Sequence, residues 1–142
     1  MYVKAFVMAA ALVVLTAGAA NAALFNVDAT LKGADEVPPN TTAGSGTVTA
    51  TLDTTAKSFS YAVRYSGLTG PASAAHFHGP AAPGVNAPPV ITMTSLTSPI
   101  QGTTTLTDAQ IADLQAGKWY FNVHTAAHPG GEIRGQLKVT PK

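Results

Sequence analysis

The feature that most constrains the fold is a series of short segments in which apolar and polar residues alternate, separated by turn-forming Gly, Pro and Asn. Successive side chains of a β-strand point to opposite faces, so each such segment predicts a strand with one buried face. Roughly seven or eight short strands predict an all-β domain, a β-sandwich of about 100 residues. The predicted strands are Leu24–Lys32, Val48–Leu52, Phe59–Tyr65, Ala74–His78, Val90–Met93, Lys118–Thr125 and Ile133–Val139.

One short helix interrupts this β pattern. Thr107 and Gln110 have the spacing of a capping box, which begins a helix by satisfying its first free N–H groups. Ile111 and Leu114 then share one face, and Gly117 is placed to end the helix. Residues 80–89 contain four prolines and therefore predict an irregular surface loop.

Residues 1–22 predict a secretory signal peptide. Lys4 precedes an apolar stretch from Ala5 to Leu15, and the small-residue site Ala20-Asn21-Ala22 follows it. The stretch is short for a transmembrane helix, which needs about 20 apolar residues, and an uncleaved anchor is the alternative. We therefore expect one mature domain, residues 23–142, that is periplasmic or secreted and has no membrane contact after cleavage.

The composition of the 142-residue chain excludes several kinds of function. The formal net charge is only +1, which argues against a nucleic-acid partner because such proteins carry clustered Lys and Arg. The chain has no cysteine, which excludes disulfides, thiolate zinc sites, iron–sulfur clusters and blue-copper centres. An exported domain without disulfides needs a packed core, a ligand or a metal to stabilise it.

The four histidines form two tight pairs, and these are the candidate metal ligands. His76 and His78 are two residues apart on a predicted strand, so both project from one face while Phe77 points into the core. His124 lies at the end of another strand, and His128 follows in a turn made by Pro129–Gly131. Each pair lies where a strand meets a Gly/Pro-rich loop, a usual place for a site on a β scaffold. The alternative is that these histidines only make structural hydrogen bonds.

Imidazole ligands without thiolates suit zinc, copper, nickel or iron, and Cu(II) binds most tightly among the divalent first-row ions. We therefore predict copper, with zinc as the alternative. Calcium is disfavoured because no carboxylate cluster accompanies the histidines. Glu132, Asn122 and Tyr120 are the candidates to orient the imidazole rings through hydrogen bonds.

Other polar residues receive structural interpretations from their spacing. Glu132 and Arg134 alternate on the predicted outer face of the last strand and are expected to form a surface pair. Asp35 and Glu36 precede two prolines and are expected to lie in a turn.

Several motifs together resemble those of the CHRD domain, named for its occurrence in chordin. The matching segments are Leu31–Pro39, Gly44–Gly46, Tyr61, Gly67–Leu68, Ala74–Ala81, Pro99–Gly102, Leu106–Thr107, Gly117–Thr125 and Pro129–Leu137. The resemblance implies an immunoglobulin-like or Greek-key β-sandwich or barrel, and it implies no single enzymatic activity. Within it, His76 and His78 followed by a Gly/Pro loop are similar to the copper strand of Cu/Zn superoxide dismutases, a likeness of one short motif.

Three functions follow from these observations. The first is an exported copper-binding protein for storage, delivery or detoxification, with His76, His78 and His124 as ligands and His128 as a fourth or gating ligand. The second is a binding or matrix module without metal that contacts another exported protein or a glycan. The third is a copper-dependent superoxide dismutase-like enzyme, in which Arg134 would steer the anion.

Overall fold

The computed structural model describes residues 23–142; the predicted signal peptide, residues 1–22, lies outside the described residues. The described chain forms nine strands and one α-helix, which confirms the all-β prediction with one short helix. The elements are β1 Leu24–Lys32, a 3-10 turn Gly33–Asp35, β2 Ser45–Asp53, β3 Ser58–Ser66, β4 Ala72–His78, β5 Pro89–Thr92, β6 Ile100–Thr105, α1 Asp108–Gln115, β7 Tyr120–Thr125, β8 Ile133–Gln136 and β9 Lys138–Pro141.

The strands form one curled antiparallel sheet in the order β5-β4-β7-β8-β1-β2-β3-β6, with β9 also paired to β1. Of the two predicted arrangements, sandwich and barrel, this single curled sheet corresponds to the barrel-like one. β1, β2 and β3 are neighbours in sequence and in space, whereas β4 returns to the opposite part of the sheet beside β7. This crossover places the two predicted histidine strands next to each other.

The core lies inside the curl and is built on aromatic side chains. Phe77 of β4 packs edge-on against Phe121 of β7, with ring centroids 4.7 Å apart, and against Phe59 of β3, at 5.3 Å. Trp119, just before β7, is also buried against this cluster. Phe77 therefore points inward as predicted, and so do the alternating residues 119, 121 and 123.

The local signals at the helix are confirmed. The Thr107 side chain accepts the Gln110 N–H, and the Gln110 side chain accepts the Thr107 N–H. Ile111 and Leu114 are the buried residues of α1. Gly117 follows the helix with a φ of 72°, a conformation that favours glycine.

The prediction that Glu132 lies on the surface is wrong. Its side chain is 0% exposed and its carboxylate accepts hydrogen bonds from the hydroxyls of Thr42, Thr69 and Thr125 and from the Thr69 N–H. Burial raises the pKa of Glu132, but these donors outweigh burial and leave it lowered. The outer face of this strand is covered by chain segments that the alternation pattern does not reveal.

Within residues 23–142, no helix has the length and apolar character that crossing a bilayer requires.

Candidate metal centre

Three of the four histidines converge on the outer face of β4 and β7. His76 and His78 project together from β4, with ring centroids 5.2 Å apart. His124 comes from β7, where it pairs with Ala74, so it lies diagonally across from His76. The His76 and His124 ring centroids are 5.1 Å apart, and one nitrogen from each of the three rings lies within 4.8 Å of the other two. This three-His group can bind a metal ion.

His128 is not part of the three-His group. It lies in the turn between β7 and β8, where its N–H donates to the Thr125 carbonyl at 3.1 Å and its carbonyl accepts the Gly131 N–H at 3.0 Å. These two hydrogen bonds fix the backbone of His128 in the turn, and its imidazole does not join those of His76, His78 and His124.

The His124 ring is oriented by the same turn. Its Nδ1 donates to the Pro129 carbonyl at 2.8 Å. A neutral imidazole has one N–H, so this bond leaves Nε2 with a lone pair. That Nε2 lies 3.3 Å from Nδ1 of His76.

The spacing of these two nitrogens fits one shared ion. Two nitrogens bound to a tetrahedral metal at about 2.0–2.1 Å lie roughly 3.3 Å apart. The His76 Nδ1 to His124 Nε2 distance is 3.3 Å. The donor set is all imidazole, which suits copper or zinc.

Both ring nitrogens of His78 also have partners. Nδ1 lies 2.8 Å from the Ala87 carbonyl, and Nε2 lies 2.9 Å from Oδ1 of Asn122. The neutral ring can donate to only one of them. A peptide carbonyl can only accept, whereas the Asn122 carboxamide can turn its NH2 toward the ring. A neutral ring that donates from Nδ1 to the Ala87 carbonyl leaves a lone pair on Nε2, and Asn122 then has to present its NH2 to the ring instead of to Glu36.

Two of the three residues predicted to orient the imidazoles do contact His78. Asn122 makes the hydrogen bond to Nε2, and the Tyr120 ring stacks on the His78 ring at 4.6 Å and 6°. Glu132 does not contact the histidines in this way; its carboxylate accepts hydrogen bonds from the Thr42 and Thr125 hydroxyls.

Arg134 is buried beneath the Pro80–Pro89 loop, so the prediction that it lies on the surface is wrong. Its side chain is 2% exposed, and its guanidinium carbon lies 3.5 Å from the centroid of the Tyr120 ring. Its N–H groups donate to Oδ1 of Asn86 at 2.8 Å and to the Val85 carbonyl. The loop covers this face of the sheet, which is why Arg134 is not available to steer a solvent anion.

The electrostatics of the group favour neutral imidazoles. Burial lowers the pKa of His76, and the nearby His124 and His78 lower it further. Burial is also the largest cause of the lowered pKa of His78, although its hydrogen bonds to Ala87 and Asn122 act in the opposite direction. Neutral rings keep the lone pairs that a metal needs.

A buried carboxyl group, Glu36, lies behind Asn122. Its side chain is 4% exposed, and burial raises its pKa to about 7, although the Arg134 charge and a hydrogen bond from Asn122 lower it. The sequence analysis placed Glu36 in a turn and missed both its burial and the role of the Ala87 carbonyl. Backbone carbonyl contacts leave no signal in a sequence.

Comparison with known proteins identifies the family of the chain through its sequence. The CHRD domain family matches residues 27–137, most of the described chain. Searches of curated proteins and of solved structures each found no match.

Proposed function

The chain belongs to the CHRD domain family, and from that premise we propose that it is an exported domain that binds one copper ion through His76, His78 and His124. CHRD domains are typically extracellular, which supports the export predicted from residues 1–22. Storage, delivery or detoxification of copper are the roles that such a site serves.

The convergence of the three imidazoles carries this proposal. The rings come from two strands and are up to 48 residues apart in sequence, yet one nitrogen from each lies within 4.8 Å of the others. His78 and His124 each direct Nδ1 at a backbone carbonyl, which is the arrangement that metal-bound histidines use to fix the ring. Nε2 of His124 is then available to a metal, and Nε2 of His78 becomes available when it parts from Asn122. Copper is favoured over zinc because Cu(II) binds imidazole more tightly.

Titration of the purified protein with Cu(II) and Zn(II), in competition with a chelator of known affinity, tests the proposal. We expect one ion per chain, with Cu(II) bound more tightly than Zn(II). The double variant His76→Ala/His124→Ala should lose affinity by about 100-fold or more, because two of three ligands are gone. A wild-type protein that binds copper no more tightly than this double variant would overturn the proposal.

His128→Ala is the matched comparison, because it removes an imidazole outside the three-His group. A three-ligand site predicts that His128→Ala keeps the stoichiometry and stays within a few-fold of wild-type affinity. A loss equal to that of His76→Ala would instead make His128 the fourth ligand predicted from the sequence.

A binding module without metal is the second candidate, and one observation favours it. Both His78 nitrogens already have protein partners, so the ring can serve a purely structural role. That role predicts that the histidine variants lose stability while wild type gains none from added copper. Thermal unfolding with and without copper separates the two candidates, because an ion that binds only the folded state raises the melting temperature.

A further inference from the structure

The Pro80–Pro89 loop is fastened to the sheet beside the three-His group at three consecutive residues, Val85, Asn86 and Ala87. Arg134 holds Val85 and Asn86 through its guanidinium. Tyr120 holds Ala87, whose N–H donates to the Tyr120 hydroxyl at 3.1 Å. The hydroxyl in turn lies 3.3 Å from the Ala87 carbonyl. We refer to Arg134, Tyr120 and residues 85–87 as the loop clamp.

Tyr120 and Arg134 support each other in this clamp. The guanidinium lies over one face of the Tyr120 ring at 3.5 Å, a cation–π distance, and His78 stacks on Tyr120 at 4.6 Å. Arg134 is buried and forms no ion pair among residues 23–142. Its charge interacts with the Tyr120 ring, with the loop oxygens and, at longer range, with the carboxyl group of Glu36.

The clamp restrains the plane and the rotation of the His78 ring. Stacking on Tyr120 sets the ring plane, because the two rings are within 6° of parallel. The Ala87 carbonyl, 2.8 Å from Nδ1, sets the rotation within that plane. It also favours the Nδ1-protonated tautomer, since a carbonyl accepts only from a protonated Nδ1.

We propose that Arg134 and Tyr120 are positioning residues that act through the Ala87 carbonyl to hold His78 in its Nδ1-protonated tautomer. This proposal rests on the proposed metal site, with Nε2 of His78 as the ligand atom. Without the clamp, the neutral ring exchanges between two tautomers and samples other rotations. Metal affinity then falls, because only one tautomer presents Nε2. By linkage, a bound metal also stabilises the contact of the Pro80–Pro89 loop with the sheet, because metal binding and loop contact favour the same tautomer of His78.

The test uses two variants and one control. Tyr120→Phe keeps the stacked ring and removes only the hydroxyl that holds Ala87. Arg134→Gln removes the cation and its bonds to Val85 and Asn86. Arg64→Gln is the matched control, because Arg64 is an exposed arginine on β3, away from the clamp.

The first readout is the tautomer of His78 in the metal-free protein, measured by nitrogen NMR of the imidazole rings at about pH 8, above the ordinary histidine pKa of ~6.5. We expect protonated Nδ1 in wild type and in Arg64→Gln. In Tyr120→Phe and Arg134→Gln, the proportion of protonated Nε2 should rise, and the Ala87 amide should exchange with solvent faster. A role confined to stability would not move the tautomer.

The second readout is Cu(II) affinity, which should fall about 10-fold in Tyr120→Phe and at least as much in Arg134→Gln, the range seen when groups that orient a metal-bound histidine are lost. An unchanged tautomer in both variants, or a wild-type ring protonated on Nε2, overturns the clamp whether or not copper binds. Absence of copper binding in wild type overturns the proposed metal site instead, and the tautomer measurement still decides the clamp. Should Arg134→Gln fail to fold, Tyr120→Phe decides both readouts alone.

Discussion

At the scale of single residues, Glu36 is an acid whose pKa burial moves toward neutral pH. Oε1 of Glu36 is buried and has no hydrogen-bond partner in the described chain. Burial raises the pKa of Glu36 to about 7, from an ordinary value of 4.5. The fold therefore disfavours the charged form of Glu36, because no protein donor in the described chain contacts this buried oxygen.

This shift predicts a specific dependence of stability on pH. The folded protein holds the Glu36 proton more tightly than the unfolded chain, so the proton stabilises the fold fully below about pH 4.5. This contribution is lost as the pH rises through about 7. In Glu36→Gln the side chain stays neutral, so between pH 4.5 and 8 the variant should lose about 2 kcal/mol less stability than wild type. Denaturant unfolding of the metal-free protein at several pH values measures the difference.

Asp35→Asn is the control for this prediction, because Asp35 is exposed and forms a 3.8 Å surface ion pair with Lys32. Its stability profile should follow that of wild type. Parallel profiles for wild type and Glu36→Gln would contradict the account, since they would show that Glu36 is ionised equally in the folded and unfolded states.

Residue types and strand period named His76, His78, His124 and His128 as candidate ligands and placed the first two on one face, but they did not predict the surroundings of these residues. Alternation placed His76 and His78 on one face and Phe77 in the core, since period two is a local property of a strand. The same rule assigned Glu132 and Arg134 to the outer face, and it could not say what covers that face. Coverage comes from threonines at 42 and 69 and from the 80–89 loop, which are distant in sequence.

At the scale of secondary-structure elements, the strands with alternating apolar residues were predictable and the polar strand was not. β6, Ile100–Thr105, was not predicted as a strand because Ile100 is its only buried residue and the others are Gln, Gly and Thr. β6 is instead held by pairing with β3. The predicted last strand is divided into β8 and β9 at Leu137: β8 lies between β7 and β1, whereas β9 pairs with β1.

The pairing of β8 depends on a glycine. Gly135 faces Phe121 of β7, and a Cβ at this position would overlap the carbonyl oxygen of Thr30 in β1. Gly135→Ala should therefore force β8 away from β1 and reduce the free energy of unfolding by roughly 2–4 kcal/mol. Denaturant unfolding measures the loss.

Gly130→Ala provides the comparison, because a Cβ at Gly130 has no atom within 4 Å. This change should leave the free energy of unfolding within about 0.5 kcal/mol of wild type. Equal stabilities of the two variants would show that β8 does not depend on close approach to β1.

At the scale of the whole molecule, the topology creates the site. β4 and β7 are separated by β5, β6 and α1 in sequence, and their antiparallel pairing in the sheet makes them neighbours. The family resemblance was sufficient to predict an all-β sandwich or barrel, and the CHRD match over residues 27–137 confirms the family. The separation of His128 from the other three rings was not predictable, because the conformation of a turn depends on contacts made after the sheet has formed.

The most direct measurement is anomalous diffraction from crystals of the protein grown with one equivalent of Cu(II). The account predicts one strong peak per chain, about 2.0–2.1 Å from a nitrogen of each of His76, His78 and His124, with Nε2 the ligand atom of His78 and His124. The peak should vanish in the His76→Ala/His124→Ala variant. A peak bound elsewhere on the chain, or none above noise at this group, would contradict the account.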